Sequence, residues 1–226
     1  MVATPFEADL HIHTVRSSDA HIEPRELVAA AKGRGLFAIA VTDHNTVAGV
    51  RDVVSLAHGQ DLLVVPGIEV SSHDGHVVAL GVSEAIPAGL AADETIRRIE
   101  DLGGLAIAAH PGRVYTGLHD DVIREAGFRA VEVANGHSAK RLNRSARRLA
   151  AGLGTATTGG SDAHFRDEVG NCRTAFSTAP ADVEGVLEAI RGREVKAVGE
   201  GMGPGAQLGL QAKMVARWVV RGGRRM

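Results

Sequence analysis

The chain has 226 residues, a length that suits one large α/β barrel domain. Only 3% of the residues are aromatic, which argues against a base-stacking nucleic-acid platform, and the formal net charge of −2 offers no broad attraction to nucleic acid or anionic membranes. Hydrophobic residues make up 44%, so aliphatic side chains must build the core, as they do in parallel sheets covered by helices.

Two further features narrow the chemistry. Cys172 is the only cysteine, so a metal site would have to use histidine and carboxylate ligands. No stretch approaches the ~18 apolar residues of a membrane span, and the first residues lack the basic and apolar regions of a secretory signal. We therefore expect a cytoplasmic protein with no membrane partner, whose basic tail "RWVVRGGRRM" is a solvated end.

Short aliphatic runs alternate with amphipathic stretches of helical length, which is the pattern of a parallel α/β sheet. The predicted strands are "FEADLH", "FAIAVT", "LLVVP", "HVVALGV", "LAIAAH", "RAVEVAN", "TATTGG", "RTAFST" and "EVKAVG". The predicted helices are "EPRELVAAAKGRG", "TVAGVRDVVSLAHG", "ADETIRRIEDLGG", "AKRLNRSARRLAAGLG" and "ADVEGVLEAIRGR". Residues 199–209 are glycine-rich and predict a loop before a last helix at about 207–221. Without a long linker, residues 1–226 are expected to form a single domain.

Histidines and acidic residues recur at or just beyond the C-terminal ends of the predicted strands. They are His11, His13, Asp43, His44, Glu69, His110, Asp162 and His164. In a parallel barrel these strand ends converge on one face, where such folds build their sites. Residues that are far apart in the chain would therefore meet there.

Two pairs have the two-residue spacing that puts both side chains on one face of a strand, namely His11 with His13 and Asp162 with His164. Imidazole combined with carboxylate favours zinc, manganese or iron, whereas sites built of oxygen alone favour magnesium or calcium. A single pair is common at surfaces, but a series of them at strand ends indicates a metal centre.

Six ordered motifs between about residues 8 and 177 resemble those of the PHP (polymerase and histidinol phosphatase) domain family. They are "DLHIHTVRSSDA", "VTDHNT", "PGIEVSS", "HVVALGV", "AHPGR" and "GGSDAH". The resemblance implies a distorted (β/α)7 barrel, similar to a TIM barrel, with three divalent ions (Zn, Mn or Fe) at the C-terminal ends of the strands. It implies as ligands His11, His13, Glu69 and Asp162 for the first ion, Glu69, His76 and His110 for the second, and Asp19, His44 and His164 for the third.

This implied site suggests a substrate. Three divalent ions, less the charges of Asp19, Glu69 and Asp162, would leave a net charge of about +3, which favours an anionic phosphorylated substrate and a bound hydroxide. We therefore expect a metal-dependent phosphoesterase that hydrolyses a small phosphomonoester, histidinol-phosphate-like or nucleotide-like, by attack of a metal-bridging hydroxide.

Other residues near the motifs are candidates for supporting roles. Asp43 could orient a ligand imidazole or shuttle a proton, or it could cap a helix. Arg113 and Arg16 could bind phosphate oxygens or form surface ion pairs. Asn135 and His137 could line the substrate pocket or belong to a turn at Asn-Gly. The residues expected to bind no metal are Asp9, His21, His58, His73 and His119.

Three alternatives stay open. An exonuclease or oligonucleotide phosphodiesterase of the same family is disfavoured, because no extended basic surface is evident and about 33 residues between His76 and His110 leave no room for the extra subdomain of some nucleotide-directed members. An amidohydrolase-type enzyme would commonly use a carboxylated lysine where this chain has Glu69. A non-catalytic metal-binding domain would have little reason to keep a full ligand set.

Overall fold

The computed structural model describes residues 6–203 together with residues 205, 206, 209 and 213. Apart from residues 209 and 213, the helix predicted at about 207–221 lies outside the described residues. In chain order the elements are β1 Phe6–Asp9, α1 Pro24–Gly33, β2 Ala38–Val41, α2 Ala48–Ala57, β3 Leu63–Ser71, β4 His76–Leu80, α3 Ala92–Asp101, β5 Leu105–Ala108, α4 Asp120–Ala126, β6 Ala130–Asn135, α5 Lys140–Leu153, β7 Ala156–Gly160, a 3-10 helix Arg166–Glu168, β8 Arg173–Phe176, α6 Val183–Arg191 and β9 Val195–Val198.

The predicted elements before residue 199 are all present. α1 begins as its sequence indicates, with Pro24 in its first turn and a capping box between Glu23 and Glu26. α4 is absent from the predicted elements, because its seven residues bury only Ile123 and carry too short an apolar pattern to be recognised.

The nine strands found in the described residues form one sheet in the order β7-β6-β5-β4-β3-β2-β1-β8-β9. β1, β2 and β3 are parallel, and so are β5, β6 and β7. β4 runs antiparallel to β3 and β5, and β8 runs antiparallel to β1 and β9. The prediction of a distorted α/β barrel is confirmed, but the expectation of a parallel sheet is wrong at β4 and β8.

A short turn explains the reversal at β4. Only four residues, 72–75, join β3 to β4, and a crossover to a parallel strand needs a dozen or more. Gly75 has a φ of 143°, a conformation that favours glycine. The reversal matters for function because it places His76, the first residue of β4, at the same end of the barrel as Glu69 in β3.

The barrel closes where the chain beyond β1 meets the chain beyond β7. The Asp162 N–H donates a hydrogen bond to the His11 carbonyl oxygen at 2.7 Å, and the His13 N–H donates to the Ala163 carbonyl oxygen at 3.0 Å. This seam brings the two pairs of the sequence pattern, separated by about 150 residues, into direct contact.

Asp9, the last residue of β1, stabilises the same seam. It is fully buried, and its carboxylate accepts the N–H groups of Ser161 at 2.8 Å and Gly170 at 2.7 Å. Burial raises the pKa of Asp9 to about 6 although these hydrogen bonds oppose the shift. The carboxylate thus joins β1 to the chain that follows β7.

Alternate strand residues face the interior and the helices. In β2, Ala38 and Ala40 belong to the interior cluster, whereas Ile39 and Val41 pack with residues of α1 and α2. α6 fills one end of the interior with apolar side chains, and the C-terminal ends of the parallel strands form the other, polar end. Among the described residues, no helix combines the length and apolar character needed to cross a membrane.

Candidate metal centre

Glu69 lies at the centre of a buried cluster at the polar end of the barrel. Its side chain is 1% exposed, and Oε2 lies 3.3 Å from His11 Nε2, 3.2 Å from His13 Nε2 and 3.1 Å from His44 Nδ1. These three histidines follow β1 and β2, so the ends of neighbouring strands bring their rings together.

The second oxygen of the same carboxylate faces two other histidines. Glu69 Oε1 lies 2.9 Å from His76 Nδ1 and 2.8 Å from His110 Nε2. Each Glu69 oxygen therefore has its own set of imidazoles, an arrangement suited to a carboxylate that bridges two cations.

Two further carboxylates border the cluster. Asp162 Oδ1 lies 3.2 Å from His13 Nε2. Asp19 Oδ2 lies 3.3 Å from His164 Nε2 and 3.5 Å from His44 Nε2. All nine side chains that the family resemblance implies as ligands thus lie at one end of the barrel.

The unsatisfied atoms of this cluster fit divalent cations. Buried atoms that lack a hydrogen-bond partner in the described structure include His11 Nε2, His13 Nε2, His44 Nδ1, Asp19 Oδ1 and Glu69 Oε2. Buried polar atoms without partners are costly, whereas imidazole nitrogens and carboxylate oxygens that point toward one another are suited to holding a cation. The set that offers ligand atoms within 4.8 Å of one another and is buried throughout is His11, His13, Glu69 and Asp162.

In three histidines an oxygen acceptor lies within hydrogen-bond distance of Nδ1. The contacts are His11 Nδ1 to Glu132 Oε1 at 3.0 Å, His13 Nδ1 to Ser17 Oγ at 3.1 Å, and His164 Nδ1 to the Asp162 carbonyl oxygen at 2.8 Å. When Nδ1–H donates to these oxygens, the Nε2 lone pair is left for a metal ion.

Asp43 acts on the cluster through Ser17. The buried Asp43 carboxylate accepts the Thr14 N–H at 2.7 Å and the Ser17 hydroxyl at 3.0 Å. Ser17 Oγ also accepts the His44 N–H at 2.9 Å and contacts His13 Nδ1. Asp43 therefore positions two histidines through a hydroxyl group.

Glu132 supports the site, although the motif pattern does not single it out. Beside its contact with His11, its Oε2 accepts the His110 N–H at 2.9 Å and the Asn135 side-chain amide at 2.9 Å. Glu132 is 3% exposed and stands in the strand "AVEVAN". An acidic residue inside a buried strand is costly unless it is paired. The glutamate within an otherwise apolar run was therefore the signal in the sequence that could have indicated a supporting role.

Arg113 and Asn135 are fixed around Asp162. Arg113 Nη2 donates to Asp162 Oδ2 and to Asn135 Oδ1, both at 2.7 Å. Asn135 is fully buried and its amide nitrogen lies 3.2 Å from Asp162 Oδ2, so it braces the carboxylate. The Arg113 side chain is 25% exposed and thus reaches the mouth of the site.

Arg16 and His137 lie at the edges of the cluster. Arg16 pairs with Asp52 at 2.7 Å, and these side chains are 51% and 43% exposed, so the structure places Arg16 in a surface ion pair. His137 Nε2 lies 3.0 Å from Glu168 Oε2, and its ring stacks on His164 with 5.0 Å between centroids. Glu168, which the motifs also miss, accepts the His164 N–H at 3.0 Å.

Charges in the cluster shift one another's pKa. Burial disfavours the charged form of His164, but its hydrogen bond to Asp19 and nearby negative charge outweigh burial and raise its pKa to about 9. Burial would raise the pKa of Glu69, yet surrounding histidines, with His11 first, hold it well below its usual range. Burial lowers the pKa of His110 to about 4. Bound metal would displace the protons from histidines such as His164.

Comparison with known proteins identifies the class of protein to which the chain belongs. The PHP domain family matches residues 9–142, and its PHP-associated segment matches residues 140–195. An uncharacterized protein of Methanocaldococcus jannaschii is 37% identical over 142 residues, covering 58% of this chain and 83% of that protein. The 3',5'-nucleoside bisphosphate phosphatase of Chromobacterium violaceum is 34% identical over 93 residues, covering 39% of this chain and 32% of that protein. PsfC of Pseudomonas syringae shares the fold, with a TM-score of 0.68 at 20% identity over 95% of this chain and 98% of that chain.

The fold, the buried histidine and carboxylate cluster and these relatives define a metal-dependent hydrolase that acts on phosphoester bonds. The chain belongs to the PHP domain family, which matches more than half of its residues. The resemblance predicted from the six motifs is confirmed. The assignment of particular ligands to particular ions stays a prediction.

Proposed function

We propose that the chain hydrolyses a small phosphomonoester with three divalent ions held at the polar end of the barrel. The observation that supports this proposal best is the convergence of unpartnered imidazole nitrogens on the buried Glu69 carboxylate. The proposed ligands are His11, His13, Glu69 and Asp162 for the first ion, Glu69, His76 and His110 for the second, and Asp19, His44 and His164 for the third.

The distances support this assignment to different degrees. The first set is a compact group of buried ligand atoms. His44 forms a compact group with Glu69 and His76, and another with His13 and His164, so it lies between the proposed second and third ions. Zinc, manganese or iron suits these nitrogen-rich sets better than magnesium or calcium.

Divalent ions at this centre would polarise phosphoryl oxygens and lower the pKa of a bound water to about 7. Arg113 would contribute binding and orientation. All its hydrogen bonds to the described residues leave from Nη2, so the N–H groups of Nη1 and Nε are available to a phosphate oxygen. Asp162 and Asn135 hold the guanidinium in place, which reduces the entropy lost when substrate binds.

Oligonucleotide phosphodiester hydrolysis is the second candidate, and α5 is the feature that favours it. This helix carries five cations and no acidic residue: Lys140, Arg141, Arg144, Arg147 and Arg148. Lys140 pairs with Glu200 at 2.6 Å. α5 begins two residues after Ser138, whose Oγ lies 3.5 Å from Arg113, so its basic face starts at the mouth of the site.

The amidohydrolase alternative has less support. In this chain the central bridging position is a glutamate whose described contacts are with histidines, and no lysine is found among them.

The test is a panel of phosphoesters assayed with protein of measured metal content: histidinol phosphate, mononucleotides and short oligonucleotides. We expect hydrolysis of a phosphomonoester, with about three ions per chain, and loss of activity in His11→Ala. His58→Ala is the matched control, because His58 is exposed at the C-terminal end of α2 and is not part of the cluster. Failure on the whole panel with three ions bound would reject the proposal, and a preference for oligonucleotides would select the second candidate.

A further inference from the structure

Tyr115 is exposed beside the metal cluster although it is the only tyrosine of the chain. Its side chain is fully exposed and that of its neighbour Val114 is 68% exposed. Both stand on the loop 111–118, which directly follows His110 in the chain. Single exposed apolar residues are common, so exposure alone does not indicate a role. The conformation of this loop and its position next to the cluster are the features that indicate a role for Tyr115.

Backbone hydrogen bonds brace the loop. The Gly117 N–H donates to the Arg113 carbonyl oxygen at 2.9 Å, and the Gly112 N–H donates to the Leu118 carbonyl oxygen at 3.0 Å. A Cβ at Gly117 would collide with the backbone of Arg113 and His110. The aromatic ring is therefore presented from a hydrogen-bonded turn, which lowers the entropy cost of stacking a ligand on it.

Tyr115 also has a strained backbone. Its φ is 70°, in the left-handed region that non-glycine residues seldom adopt. Five other non-glycine residues of the described chain have a positive φ: His110 and Asp162 belong to the cluster and Asn45 follows His44, whereas Asp61 and Arg193 stand in other turns. Such strain concentrates at functional sites, where the surrounding structure maintains it.

The loop lies against a pocket that reaches the cluster. The Thr116 carbonyl oxygen accepts the His76 N–H at 2.8 Å, so Tyr115 is one residue from a direct contact with a proposed ligand. A pocket of about 480 Å³ is lined by Tyr115, Gly117 and His119 on one side and by His73 and His76 on the other. This volume suits a small molecule, and the position is next to the place where a phosphoester would be cleaved.

We propose that Tyr115 is a specificity-determining residue that stacks on a planar ring in the leaving group of the substrate. The proposal rests on the phosphoesterase function proposed above. Stacking on an aromatic side chain tolerates different rings, because every ring presents a π-face. The shared chemistry is thus a planar ring, supplied either by a nucleobase or by an aryl group, and phosphoesters without a ring gain nothing from Tyr115.

Kinetics of the metal-loaded enzyme provide the first test, with AMP, p-nitrophenyl phosphate and glycerol 2-phosphate as substrates. In Tyr115→Ala we expect kcat/KM to fall about tenfold or more for a ring-bearing substrate, mainly through KM, and to stay unchanged for glycerol 2-phosphate. Tyr115→Phe should keep the wild-type preference because it keeps the ring. Val114→Ala is the matched control on the same loop. Dependence on Tyr115 for AMP or for p-nitrophenyl phosphate identifies the ring, whereas an equal loss on all three substrates, or no loss on any, overturns the proposal.

A binding measurement separates this inference from the proposed function. Because the chain has one tyrosine, ring-labelled tyrosine gives a single set of NMR signals. We expect a ring-current shift of these signals with a phosphonate analogue of AMP, whose C–P bond resists hydrolysis, and none with methylphosphonate. This outcome supports the stacking role even if no phosphoester of the panel is hydrolysed. Absence of a shift with the saturating nucleotide analogue overturns it even if the protein is a phosphatase.

Discussion

Glu132 holds His11 from behind, with its Oε1 accepting a hydrogen bond from His11 Nδ1 at 3.0 Å, and both side chains are almost completely buried. The same carboxylate accepts the backbone N–H of His110 through Oε2. One acidic residue of β6 therefore orients histidines that follow β1 and β5. Such supporting carboxylates fix the tautomer of a ligand imidazole and its direction toward the metal.

Replacement Glu132→Gln should weaken metal binding. The amide oxygen can still accept from His11, but the amide nitrogen then faces the N–H donors of His110 and Asn135. We expect a loss of about 10- to 100-fold in metal affinity or activity. Metal content after dialysis against graded chelator measures the effect, and Glu188→Gln, on the exposed face of α6, is the control. Wild-type affinity in Glu132→Gln would contradict this role.

The two arginines near the motifs should differ in their importance. Arg113 is fixed to Asp162 at the mouth of the site, whereas Arg16 pairs with Asp52 at the surface. We expect Arg113→Ala to lower kcat/KM about 10- to 100-fold, because a charge-assisted contact with phosphate is lost and Asp162 loses its arginine partner. Arg16→Ala should stay within about twofold of wild type. Equal effects of the two replacements would be inconsistent with the proposed phosphate contact.

The stability of metal-free protein should fall as pH rises above neutrality. The folded-state pKa of His164 is raised to about 9, above its value of about 6.5 in unfolded chains. A raised histidine pKa contributes stability that is complete below pH 6.5 and is lost as pH rises through 9, and the contribution here is at most about 3 kcal/mol. Carboxylates with lowered pKa, such as Glu69, titrate below this window.

Thermal unfolding from pH 6 to pH 10 tests this linkage, in chelator and with saturating metal. We expect the Tm to fall across pH 6.5–9 only in chelator, because bound metal keeps the imidazole of His164 deprotonated throughout. Parallel pH profiles with and without metal would show that protonation of histidines with raised pKa values, His164, His11 and His44, does not stabilise the metal-free site.

Replacing either of two glycines by alanine should change the free energy of unfolding, but in opposite directions. At Gly160 in β7 a Cβ would collide with the Cβ of His11 and lie 2.9 Å from Glu132 Oε1, so Gly160→Ala should destabilise the protein by about 1–3 kcal/mol. At Gly33 in α1 a Cβ would meet nothing within 4 Å, and Gly33→Ala should stabilise it by about 0.5–1 kcal/mol. Midpoints of urea unfolding measure both. Stabilisation by Gly160→Ala would disprove the close approach of β7 to the segment that follows β1.

Local patterns were sufficient to predict much of this protein. Strand and helix positions follow from hydrophobic periodicity and from signals such as Pro24 at the start of α1. The cluster around Glu69 follows from the position of polar residues at strand ends together with the family motifs. Periodicity does not report strand direction, so the antiparallel course of β4 was missed. The direction of β4 depends on the short turn at residues 72–75.

The supporting residues required the tertiary structure. Glu132 lies 121 residues from the His11 ring that it orients, and no local pattern links the two. Arg113 and Arg16 both adjoin motifs, yet only Arg113 reaches Asp162, because loop geometry decides where a long side chain points.

By itself, therefore, the sequence determined the element order apart from α4, the aliphatic core and the residue types that form the polar cluster, since these depend on residue type and spacing. Tertiary structure alone decided which strand ends meet, which Glu69 oxygen faces which histidine, and which neighbours hold each imidazole in place. The physical reason is that side-chain hydrogen bonds act over about 3 Å in space and are indifferent to distance along the chain.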